Sequence, residues 1–77
     1  MRTGELKINF AKGHLEKAIE LADNSLDAEA TQEFIEYCEL MGSNSAAYYK
    51  CGLELYRRNK YIESYEFFLK STKSKNN

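Results

Sequence analysis

Apolar residues recur at spacings of three and four along most of the chain and nowhere alternate with period two for long. The pattern predicts helices and no sheet. Five segments read this way. Residues 4–12 form a short first one, with Thr3 as its cap and Gly13 closing it in the left-handed conformation. Residues 14–26 place Leu15, Ala18, Ile19, Ala22 and Leu26 on one stripe, with Glu16, Lys17, Glu20 and Asp23 elsewhere on the wheel. Asp27 stands where it would cap 28–41, in which Phe34, Ile35, Cys38 and Met41 share a face widened by Tyr37 and Leu40. After the start signal Ser43-Asn44-Ser45, the segment 45–58 carries Tyr48, Cys51, Gly52 and Leu55 in register, and Asn59 ends it. The last segment, 60–73, carries Tyr61, Ser64, Tyr65, Phe68 and Thr72 ahead of a polar tail that is expected to fray. Short connections make consecutive helices antiparallel neighbours. The expected fold is therefore all-α, one small domain over 1–77 built from antiparallel helix hairpins.

Size changes the picture. With 77 residues the chain can build only a small core, and below ~80 residues such a core rarely supplies more than ~3–5 kcal/mol. A staple or a second chain is expected. Cys38 and Cys51 read as free thiols packed as small apolar groups, because the first residues lack a signal-peptide core and suggest a reducing, cytoplasmic setting. No apolar run is long enough for a membrane span. The remaining staple is another protein.

Charge is segregated. Residues 1–17 sum to +2, residues 18–41 to −7 with no Lys or Arg at all, and residues 42–77 to +4. The acidic middle either folds against its two basic ends or presents a field to a basic partner.

A shift of 46 residues lays Phe10 on Tyr56, Gly13 on Asn59, Leu15 on Tyr61, Ala18 on Ser64 and Leu21 on Phe67. The shared pattern (aromatic, turn-former, apolar, small) is that of a helix hairpin. From Tyr48 to Tyr56 the chain resembles the first helix of a tetratricopeptide repeat and of its Sel1-like relatives. Tyr48 stands where the family has Trp, Cys51-Gly52 where it has Leu-Gly, and Leu55 where it has Tyr. Asn59, Tyr61, Ser64, Phe68 and Ser71 continue the match where the family has Gly, Tyr, Ala, Phe and Ala. Residues 45–73 make one unit and 4–26 a degenerate second one, with the acidic segment 28–41 between them. The spacing of 46 departs from the family's 34, and the usual Pro is missing. The resemblance implies a right-handed stack of about five short helices whose first helices line a protein-binding face. Carried over residue by residue, that face holds Lys7 and Phe10 from the first unit and Tyr49, Leu53, Tyr56 and Arg57 from the second; Tyr48, Tyr61 and Phe68 fall in the core.

Catalytic chemistry finds no foothold. His14 is the lone imidazole and reads as an exposed turn residue. Two Cys and one His at wide spacing match no zinc pattern, and the four glycines form no phosphate loop. No cofactor is implied. Lys50, Arg57, Arg58 and Lys60 lie among tyrosines, but a pI near 5.8 and the acidic run oppose nucleic acid. The expectation is a non-enzymatic interaction module, a homodimer or a subunit of a hetero-complex, with self-association through Tyr65, Phe67 and Leu69 on a last helix too rich in rings for one stripe. Two rivals are a regulator that docks the acidic surface Glu29, Glu33, Glu36 and Glu39 in a basic groove of a target enzyme, and a piece of a longer solenoid.

Overall fold

A computed structural model describes residues 3–74, Thr3 by its backbone alone; the expected cap by the Thr3 side chain and the end of the polar tail lie outside the described residues. Four helices follow one another: α1 (Thr3–Asp23), α2 (Asp27–Leu40), α3 (Ser45–Arg57) and α4 (Tyr61–Lys73). No strand occurs among the described residues. The all-α class holds. The count of five does not, because residues 4–26 do not turn at Gly13. They run as one helix to Asp23, about 31 Å at 1.5 Å per residue. Gly13 is helical and exposed, and a lone glycine costs a helix only about 1 kcal/mol, which good helix formers on both sides overcome. The buried stripe Ala11–Ala18–Ala22 passes straight through it.

The hairpins are therefore α1 with α2 and α3 with α4. Their turns are alike atom for atom. The Leu26 amide donates to the Leu21 carbonyl at 2.9 Å, and the Lys60 amide to the Leu55 carbonyl at 2.9 Å. Ser25 and Asn59 take the left-handed conformation at φ 61° and 66°. Leu26 and Lys60 precede the second helices at φ −91°, ψ 70° and φ −93°, ψ 69°. Every one of these pairs lies 34 residues apart. The internal period that the backbone obeys is thus 34, and the 46-residue register expected from the sequence pairs a mid-helix stretch with a real turn.

Small residues recur at that period on the helix faces that meet. Ala18 and Gly52 are buried on the first helices, Ala30 and Ser64 on the second. Between the two hairpins lies the core: Phe34 meets Phe67 edge-on with ring centroids 6.0 Å apart, and the Cys38 and Cys51 sulfurs stand 3.4 Å apart. Both cysteines are free and fully buried, as expected of packed thiols. Two ion pairs tie the hairpin ends together, Arg58 to Asp23 at 2.6 Å and Lys60 to Asp27 at 3.0 Å. Asp27 is the first residue of α2 and not its cap; Leu26 holds the cap position without a side-chain bond. Asn44 does cap α3, accepting from the Ala47 amide at 2.8 Å.

Candidate interaction surface

The 34-residue period shows what each exposed side chain is equivalent to. On α3, Tyr49, Leu53 and Tyr56 follow at i, i+4 and i+7 and form one exposed row. On α4, Tyr61, Tyr65 and Leu69 follow at i, i+4 and i+8 and form another. Cross-helix ring contacts join the rows: Tyr49 to Phe68 at 5.5 Å and Tyr56 to Tyr61 at 5.2 Å between centroids. The joined face is lined by rings and leucines, with Arg57, four residues past Leu53, as the charged side chain at the end of the α3 row. At its rim the Tyr61 hydroxyl donates to Asn59 Oδ1 at 2.7 Å. Beneath the face, Phe68 rests on Gly52, and the Ser64 hydroxyl donates to the Gly52 carbonyl at 2.9 Å.

Of the six side chains expected on a partner-binding face, Tyr49, Leu53, Tyr56 and Arg57 are exposed together on α3. Lys7 and Phe10 are exposed too, but on a different part of the molecule. Helix α3 starts at Ser45, the equivalent of Ala11, so residues 3–10 are an extension of α1 of about two turns that the second hairpin lacks. Leu6, Asn9 and Phe10 line an open dimple of about 300 Å³ there, with no converging polar group from another element.

The expected self-association stripe divides. Tyr65 is 63% exposed and Leu69 lies beside it, whereas Phe67 is 2% exposed between Phe34 and Tyr48. Phe67 belongs to the core and is unavailable to a second chain. The phase of α4 explains this: Ser64, Phe67 and Ser71 sit at i, i+3 and i+7 toward the rest of the molecule, and Phe68 turns toward α3. Tyr61, expected in the core, is exposed. The 34-residue register bears on Tyr61, whose equivalent is the charged Asp27, but not on Phe67, whose equivalent is the charged Glu33.

Three of the seven acids of the run are paired within the molecule. Asp23 and Asp27 hold Arg58 and Lys60, and the Glu33 carboxylate accepts from His14 Nδ1 at 2.5 Å. His14 is a half-buried residue of α1 and not an exposed turn residue. Glu36 is half-buried, and Glu29 and Glu39 remain exposed. Burial opposes the charge on Arg58, but hydrogen bonds to Asp23 and Glu54 outweigh it and raise the guanidinium above its ordinary range. The Cys51 thiol is pushed well up by its hydrogen bond with Cys38 and then by burial, which keeps it protonated and unreactive.

Among the described residues no group of three or more His, Cys, Asp or Glu is placed to hold a metal ion, and no helix is long and apolar enough to cross a membrane. No family model, no curated protein and no solved structure matches the chain.

Proposed function

We propose that this chain is a non-enzymatic helical-repeat module of the tetratricopeptide kind, a right-handed stack of two hairpins that binds protein through the outer face of α3 and α4. The observation that carries the reading is the ring-rich double row of Tyr49, Leu53 and Tyr56 with Tyr61, Tyr65 and Leu69, exposed and joined across the hairpin. Contiguous apolar surface of this extent on a small chain marks an association site, and tyrosine is a residue type enriched at hot spots. The 34-residue period of the turns supports the family, whose repeat has that length. So do small residues at Ala18, Gly52, Ala30 and Ser64, where the two helices of each hairpin approach.

The rival reading, an acidic helix docked on a target enzyme, has less support: Glu33 is already paired, which leaves Glu29, Glu36 and Glu39 as its surface. The test compares captured proteins. Wild-type chain and a Tyr49→Ala/Tyr65→Ala variant of matched thermal stability are used as baits in extract from the native cell. A protein retained by the first and lost from the second supports the assignment. Identical captures, or capture abolished by Glu36→Lys/Glu39→Lys instead, would overturn it.

A further inference from the structure

The internal period also says what the exposed face is for. Shifted back by 34 residues, Tyr49, Leu53 and Tyr56 fall on Leu15, Ile19 and Ala22, and Tyr65 and Leu69 on Thr31 and Ile35. In the first hairpin every one of these is buried or half-buried. The first-hairpin residues that meet the second hairpin, Asp23, Asp27, Phe34 and Cys38, shift forward onto Arg57, Tyr61, Phe68 and Thr72 of the same two helices. The α3/α4 face is therefore a stacking face without its stack.

Two arrangements of a second copy could cover it. In a head-to-tail stack the incoming surface would be the outer side of α1 and α2. Its make-up follows from the same shift: Tyr48, Cys51 and Phe67, which the second hairpin turns toward the first, become His14, Lys17 and Glu33. The ring pair Tyr48–Phe67 is replaced by the polar pair His14–Glu33. Stacking that side on bare tyrosines would bury Lys17 and an ion pair against apolar rings, a large desolvation cost with nothing to offset it. The first hairpin thus carries the polar outer side of a cap, and the second does not. Head-to-tail growth is blocked by the chain's own composition.

We infer that the α3/α4 face closes on the same face of a second copy, in a two-fold, isologous dimer. The inference rests on the protein-binding reading and names its occupant. Apolar rows then meet apolar rows, and the charged side chain at the end of the α3 row, Arg57, stays beside Glu54 at the edge of the contact. The area suits a small dimer contact: four tyrosines, each somewhat more than half exposed, contribute on the order of 100 Å² apiece. With Leu53 and Leu69 the face offers more than half of the ~800 Å² per partner of a standard stable interface. Two-fold closure also ends assembly at two copies.

Sedimentation equilibrium of the full chain decides the matter, with Tyr65→Glu and Lys17→Glu variants run beside it. All three should keep the same helical circular-dichroism spectrum, since both positions are exposed. The expected result at about 100 µM is twice the chain mass for wild type and for Lys17→Glu, and the chain mass for Tyr65→Glu, with a dimer dissociation constant raised at least tenfold. A mass that grows with concentration beyond two copies and responds to Lys17→Glu would overturn the two-fold arrangement in favour of stacking. A wild-type monomer would overturn the second copy as occupant. If Tyr49→Ala/Tyr65→Ala still abolished capture of another protein from extract, the broader protein-binding assignment would survive that loss.

Discussion

The ring of Phe68 lies on the α-carbon of Gly52: a β-carbon there would stand 2.6 Å from both Cδ1 and Cε1 of the ring. The hairpin α3/α4 closes at this point because one helix offers no side chain and the other lays an aromatic across the gap. Tyr49 of α3 packs on the same ring, with centroids 5.5 Å apart.

Two glycines in helices should therefore respond with opposite signs to the same substitution. Gly52→Ala forces Phe68 out of place and should cost about 1–3 kcal/mol, the usual range for overpacking. Gly13→Ala puts a methyl into open space on an unbroken helix and should gain about 1 kcal/mol. Urea unfolding followed by circular dichroism measures both. In the Phe68→Ala background, the Gly52→Ala penalty should shrink to nothing or reverse. If Gly52→Ala stabilises in the presence of Phe68, the close approach of α3 and α4 is not as described.

The buried thiols lead to a second pair of outcomes. Cys38 and Cys51 are fully buried, and the Cys51 proton is held by Cys38 and by burial. A thiol-reactive dye should label neither in the native protein at neutral pH and both after unfolding. Linkage gives the pH dependence. The folded pKa of Cys51 is raised above its ordinary 9.0, so its contribution to stability is complete below pH 9. As pH rises past 9 the unfolded chain releases this proton while the folded chain keeps it. Stability should then fall by about 1.4 kcal/mol per pH unit for this group. Tyr37, whose phenol is raised by burial and by the two cysteines, adds to the loss above pH 10. Cys51→Ala should flatten the first part of the decline. Rapid native labelling, or stability level from pH 8 to pH 10, would contradict the buried dithiol.

The helical class was legible because apolar spacing of three and four is a local property, repeated along every segment. Turn positions were legible where two signals coincided, as at Gly42 to Ser45, where left-handed Gly42 and Ser43 precede the Asn44 cap. Gly13 sent one signal only, and the stripe on both sides of it outweighed that signal. The real first turn, Asn24-Ser25, carries neither Gly nor Pro, and a serine at φ 61° cannot be told from a helical serine by composition. A boundary is expected there, between 14–26 and 28–41, but taking Gly13 for the hairpin turn in its place moved the register from 34 to 46 and separated α1 from its true partner α2. The face of α4 was half legible for a related reason. Phe67 and Phe68 are adjacent, both are large, and only the position of Gly52 on α3 decides which of them lies in the gap and which enters the core.

Arg58 should prove worth more than a surface cation. Its Nε donates to Asp23 of the first hairpin at 2.6 Å, and its Nη1 donates to both the carboxylate and the carbonyl of Glu54 at 2.8 Å. The first pair is mostly exposed on the Asp23 side and contributes at most about 0.5 kcal/mol, less in salt. The second is more enclosed, and losing it would leave the Glu54 carboxylate half-buried with only the looser contact to Arg57 at 3.6 Å. Arg58→Ala should accordingly cost about 1–2 kcal/mol, and Asp23→Ala a few tenths. A double-mutant cycle on Arg58 and Asp23 should give a coupling that fades as sodium chloride rises, while the Arg58–Glu54 coupling persists. Arg58→Lys should behave nearly like Arg58→Ala, because a single ammonium cannot span both carboxylates as the planar fork does. Equal stability of the Lys variant and the wild type would show that Arg58 acts by charge alone and that the fork joining the two hairpins has no energetic role.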